Sequence, residues 1–103
     1  MKKLIDGKMY NTETATALAK YTAPYNCGDF KRYVEVLYKT KKGAYFLEGE
    51  GGPMSKYAQS YGNGWSGGSD IIAISADEAF EWLQSKDFID VAEKEFPDKI
   101  EEA

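Results

Sequence analysis

The chain contains no histidine. That removes Ser-His-Asp and Cys-His nucleophilic catalysis, and with them the commonest transition-metal ligand. A single cysteine, Cys27, excludes an intramolecular disulfide and leaves too few soft ligands for a structural zinc site. A lone thiol suits a reducing compartment. No apolar stretch approaches the roughly 20 residues of a membrane-spanning helix. The apolar run after Met1-Lys2-Lys3 stops at Leu4-Ile5, too soon for a secretory leader. These absences predict a soluble, cytoplasmic, non-enzymatic protein with no cofactor and no metal.

What is present suits one small globular domain. The 103 residues are 43% apolar and 29% charged, enough for a single core and not for two. Aromatics make up 15%, eight of them tyrosines, more than so small a core requires. Tyrosine joins apolar area to a hydroxyl and suits an interface, so some of these rings are expected at the surface. The net charge of −4 is unevenly spread. Residues 1–45 hold nine Lys/Arg against four Asp/Glu, and residues 77–103 hold three against ten. Such a chain can meet an anionic partner through its first half or a cationic one through its last quarter.

Residues 3–10 read as a short hairpin or bent strand turning at Asp6-Gly7. Asn11 or Thr12 is expected to cap a helix running to about Tyr21, with Ala15, Leu18 and Ala19 on one face. Pro24 stops it, and Tyr25 to Asp29 is a loop. The strongest local signal lies in residues 32–48. Tyr33 to Tyr38 and Ala44 to Glu48 are rich in β-branched and aromatic residues and are joined by Thr40-Lys41-Lys42-Gly43. Gly49 to Ser69 holds most of the glycines and predicts a long loop, with one short helix within Met54 to Tyr61. Asp70 to Ile74 returns as a strand. Ser75-Ala-Asp-Glu78 is a capping box for a helix whose inner face is Ala79, Trp82 and Leu83. Ser85 is expected to cap a second helix, with Phe88, Val91, Ala92 and Phe96 on one side. Pro97 ends it and Asp98 to Ala103 frays. Together these predict an α+β domain over 1–103: a three- to four-stranded antiparallel sheet with a central β-hairpin and helices packed on one face.

Chemistry is scarce in this sequence. Gly49-Glu-Gly-Gly52 lacks the Lys-Ser/Thr ending of a phosphate loop, and its Glu50 would repel phosphate. Backbone turns explain the glycines more simply. Glu48 and Glu50 point to the same face of an extended strand, where a solvated strand end is the simpler reading than a carboxylate pair at work. Cys27 stands beside Gly28 and Asp29 without an activating base, as an incidental thiol does.

Three features suit a partner. The first is a basic hairpin: Lys39, Lys41 and Lys42 at its tip, Lys31 and Arg32 at its start, interleaved with Tyr33, Tyr38 and Tyr45. Lysines can pair with phosphates and rings can stack on bases, although edge-protecting lysines around a turn look the same in sequence. The second is the acidic C-terminal unit, with Asp77, Glu78 and Glu81 on one helix and Asp87, Asp90, Glu93 and Glu95 on the next. Helix dipoles favour some of these acids, yet the surplus of seven negative charges exceeds what capping needs. Such a face can imitate a row of phosphates, although an ordinary solvated face is the commoner reading of the same charges. The third is the glycine loop with Tyr57, Tyr61 and Trp65, which either presents aromatic anchors or folds back over the sheet.

The run Ile5-Asp-Gly-Lys-Met-Tyr-Asn-Thr-Glu-Thr-Ala15 joins three further motifs: Leu37-Tyr-Lys-Thr-Lys-Lys-Gly43, Tyr45-Phe-Leu-Glu-Gly-Glu-Gly-Gly52 and Glu78-Ala-Phe-Glu-Trp82. With Gly67-Gly68 before Ile71-Ile72, the set resembles a family of small proteins carried on mobile elements and phages of Firmicutes. The resemblance covers nearly the whole chain. It implies a shared scaffold and a setting inside a bacterial host, and assigns no functional residues. Small acidic proteins in that setting include anti-CRISPR proteins, some of them inhibitors of type II nucleases such as Cas9. The expectation is therefore a protein partner, a CRISPR nuclease, met through the aromatic loop and the acidic helices. The alternative is a small nucleic-acid-binding regulatory accessory protein using the basic hairpin.

Overall fold

The computed structural model describes residues 1–23, 32–51, 57, 59–61, 64–66 and 68–103, with 59–61 and 64–66 described by their backbone alone. The strands are β1 (Lys2–Ile5), β2 (Lys8–Asn11), β3 (Thr16–Thr22), β4 (Tyr33–Lys39), β5 (Tyr45–Gly51), β6 (Gln59–Tyr61), β7 (Gly64–Ser66) and β8 (Gly68–Ile74). Two helices follow, α1 (Ala76–Ser85) and α2 (Ile89–Glu95), and then a 3-10 turn at Pro97–Lys99.

The hairpin of β4 and β5 forms as its sequence predicts, in a continuous register from Tyr33↔Gly51 to Lys39↔Tyr45. Gly43 takes the left-handed conformation that closes its turn, at φ 90°. This hairpin is the centre of a four-stranded antiparallel sheet ordered β3-β4-β5-β8. The fold is α+β.

Both faces of the sheet are covered. On one, Leu37, Tyr45 and Leu47 pack against Ala79, Trp82 and Leu83 of α1 and against Ala92 and Phe96. On the other, Tyr10 of the β1–β2 hairpin closes over Phe46 and Ile71, with Tyr38 packed beside them. Two-sided burial explains why Tyr45-Phe46-Leu47 is apolar without alternation: successive residues face different cores. The Tyr10 ring meets Phe46 edge-on at 5.6 Å, and Tyr38 stacks on it at 5.0 Å. Asp6 and Gly7 turn β1 into β2 with φ of 51° and 76°, the two positive values of a tight primed turn.

The segment expected as a helix from Asn11 to Tyr21 is a strand instead. One turn does form at Asn11, whose Oδ1 accepts from the Glu13 amide at 2.9 Å and whose O accepts from the Ala15 amide at 3.1 Å. That single turn does not propagate. Pairing with the open edge of β4, from Thr16↔Lys39 to Thr22↔Val34, replaces the helical bonds. A register shift between Ala17 and Ala19 places Leu18, Ala19 and Tyr21 all against the helix-side core. The bulge thus breaks the two-residue period and leaves a spacing that imitates a helix.

Two other expectations need correction. Ser85 does not cap α2: its Oγ donates to the Trp82 carbonyl at 3.0 Å, and the cap residue of α2 is Phe88, without a side-chain bond. Of the short helix expected in Met54 to Tyr61, residues 59–61 are a strand paired with β7, and residues 54–56 and 58 lie outside the described residues. The Ser75–Glu78 capping box is present in both directions, at 3.1 and 3.0 Å. At the C-terminus, where fraying was expected from Asp98, Lys99 Nζ donates to Asp77, and residues 100–103 are irregular. Among the described residues no helix is long and apolar enough to cross a membrane.

Candidate functional site

The most buried ionisable group is one the sequence reading passed over. Glu35 stands mid-strand in β4 and is 0% exposed. Its Oε1 accepts from the Trp82 indole N–H at 2.9 Å, and its Oε2 from the Tyr57 hydroxyl. Burial, and then the bond to Glu35, push the Tyr57 hydroxyl well above its ordinary range, which keeps it a donor. The signal was an acid in phase with Tyr33 and Leu37 inside an otherwise apolar strand, since residues two apart share a face.

Tyr57 reaches Glu35 across Gly49, which faces Glu35 in the register. A Cβ at Gly49 would strike the ring and hydroxyl of Tyr57. The ring is 5% exposed and lies 6.3 Å from that of Tyr33. Tyr57, expected as a partner-binding anchor, is therefore an internal clasp in this structure. The side chains of Tyr61 and Trp65, expected beside it, lie outside the described residues. With both oxygens engaged and no exposure, Glu35 has no face for a substrate.

Of the acidic residues named from sequence, Asp77, Glu78 and Glu81 lie on α1 and Asp90, Glu93 and Glu95 on α2. Asp87, expected on the second helix, stands instead in the turn that ends α1; all but Glu95 are exposed. Two are engaged locally, Asp77 with Lys99 and Glu78 in the capping box. Glu81, Asp87, Asp90 and Glu93 have no ion pair among the described residues. Asp87 and Glu93 border a groove of about 550 Å³ between the helices and the C-terminal segment, with Phe80, Phe88, Ile89 and Ile100 among its apolar walls. Ile89 is 63% exposed there.

Asp87 also carries an unusual backbone. Its amide donates to Gln84 O at 3.2 Å and that of Phe88 to Leu83 O at 2.9 Å, closing α1 in a Schellman turn. The residue at its left-handed position is ordinarily glycine, and here Asp87 holds φ 61°.

The basic set divides. Lys39 Nζ donates to Glu95 Oε2 at 3.0 Å, a bond that holds its ammonium above the ordinary lysine range. Lys41 and Lys42 are exposed and have no carboxylate partner. Arg32 lines a separate groove with Tyr33, Glu50 and Ser69. Lys31 and Cys27 lie outside the described residues. Glu48 and Glu50 share one face of β5, and the Glu48 carboxyl is raised by burial first and by Glu50 second. Among the described residues no group of three or more His, Cys, Asp or Glu is placed to hold a metal ion.

Comparisons with family models, with curated proteins and with solved structures find no match to this chain. The family resemblance accordingly rests on its motifs alone.

Proposed function

We propose that this chain is a non-enzymatic binding protein that seats a cationic, partly apolar segment of a partner protein in the groove between α1 and α2. One observation carries the reading: apolar walls that include Phe80, Phe88, Ile89 and Ile100 are bordered by the carboxylates of Asp87 and Glu93. Burying the apolar side chains of the partner supplies affinity, and the acids select positive charge and speed encounter. In the setting that the motifs imply, the partner is a type II CRISPR nuclease, Cas9. Its nucleic-acid channel is positively charged, and an acidic protein seated there blocks engagement of nucleic acid. The chain then acts as an anti-CRISPR inhibitor in the cytoplasm of the bacterial host.

The test is pull-down of the full chain with Cas9, with and without guide RNA, alongside a DNA-cleavage assay. Retention on Cas9 and loss of cleavage are expected, both weakened by Asp87→Lys with Glu93→Lys and by added salt. No retention together with full cleavage at excess inhibitor sinks the nuclease reading. Retention unaffected by the double reversal sinks the groove.

A further inference from the structure

A second groove lies where the two hairpin turns meet, and none of its lining residues is shared with the acidic one. It has a volume of about 540 Å³ and is lined by Lys8 and Met9 of β2, Thr14, and Thr40, Lys41 and Lys42 of the β4–β5 turn, among others. All three lysines are exposed. Lys3, Lys39 and Lys99 are neutralised by Asp70, Glu95 and Asp77, whereas Lys8, Lys41 and Lys42 have no carboxylate partner. Asp6 and Glu13, the acids nearest in sequence to β2, do not line the groove. Three uncompensated ammonium groups from two different turns thus converge on one concave surface. Met9, 54% exposed, adds apolar area. The aromatic residue of the groove, Tyr10, is 8% exposed and packed on Phe46, so it offers no free face to a base.

We propose that this groove binds the phosphodiester backbone of a nucleic acid, holding phosphates without reading bases. Lysines from both turns pair with successive phosphates, and the missing stacking platform makes the contact indifferent to sequence. The overall charge of −4 opposes long-range attraction, which confines binding to low salt and to this patch. The inference does not depend on the partner protein above, because the two surfaces share no residue.

The experiment is fluorescence anisotropy of the full chain with labelled dT20, a mixed-sequence 20-mer and a 20-base-pair duplex, with inorganic polyphosphate as competitor. Binding at 20 mM salt is expected to be similar for the two single strands. It should fall roughly 100-fold or more over a tenfold rise in salt, as three neutralised phosphates require. The triple variant Lys8→Gln, Lys41→Gln, Lys42→Gln should lose at least about tenfold in affinity and most of the salt slope. Lys94→Gln on α2 should change neither. The replaced lysines are exposed and unpaired, so an unchanged melting temperature is the folding control. Absence of binding at 20 mM salt overturns the proposal. So does an equal loss in Lys94→Gln, a preference above about tenfold between the single strands, or polyphosphate binding with no oligonucleotide bound.

Discussion

Replacing Gly49 by alanine tests the clasp over Glu35. In an ordinary strand the change is favourable by about 0.5–1 kcal/mol, because glycine loses more backbone freedom on folding. Here the new methyl collides with the Tyr57 ring. The ring cannot pivot aside cheaply: its hydroxyl is bonded to Glu35, and it is buried beside Tyr33. Displacing it leaves a buried oxygen of Glu35 without its donor, about 1–3 kcal/mol. It also exposes a large aromatic side chain, about 1.5–3 kcal/mol more. Partial relaxation trims the sum, so a loss of about 3–4 kcal/mol is expected, much of a small domain's stability. Urea unfolding followed by tryptophan fluorescence measures it, and the cycle with Tyr57→Ala decides its origin. In the Tyr57→Ala background the obstacle is gone, and Gly49→Ala should become neutral or slightly stabilising. Additive losses, or a Gly49→Ala loss below about 1 kcal/mol, would show that Tyr57 is not seated over Gly49 as described.

Asp87→Gly should raise the free energy of unfolding by up to about 1 kcal/mol, because glycine adopts φ 61° without strain. The same variant should bind the cationic partner more weakly, a combination that unfolding and titration calorimetry together would detect. Glu48→Gln should stabilise the protein at pH 7 and have little effect near pH 3.5, read as the difference in urea midpoint between the two pH values. The sign follows from the raised folded-state carboxyl: its ionised form opposes folding, so the penalty is complete above the folded value and disappears as pH falls below the unfolded value of about 4.3.

The parts of the fold that were legible in sequence are those whose signal is local. Tyr33 to Glu48 carries strand residues on both sides of a glycine turn, and Ser75 with Glu78 satisfies the helix end from within four residues. The misread parts depend on partners far away. Residues 16–22 form a strand because β4 presents an edge to them, and the bulge at Leu18 erases the alternation that would have announced it. At the start of α2, a serine where a cap was sought bonds backward to Trp82, while the Schellman turn sets the next helix through Asp87. The acidic surface was legible because its charges fall close together in the chain. Glu35 and Tyr57 were not, because their 22-residue separation in sequence becomes a contact only after Gly49 opens room between them.

The pairing of charges within the fold leaves its unpartnered groups at the surface. Among the described residues every buried side-chain polar atom has a hydrogen-bond partner. The deepest carboxylate, Glu35, joins strand β4 to α1 through Trp82 and to the glycine-rich segment through Tyr57. Three ion pairs then tie distant elements together: Lys3–Asp70 joins the first hairpin to β8, Lys39–Glu95 joins the central hairpin to α2, and Lys99–Asp77 joins the C-terminal turn to α1. Removing these leaves exposed charges of both signs without ion pairs, and two sets of them line grooves: lysines 8, 41 and 42 at the two hairpins, and Asp87 and Glu93 beside the helices. Neither set is needed to hold the fold, and each stands beside a groove. Unpaired like charges at a concave surface repel one another, a small cost to stability that the fold alone does not require. A complementary partner removes that repulsion on binding, which is why the proposed sites coincide with the charges the fold leaves over.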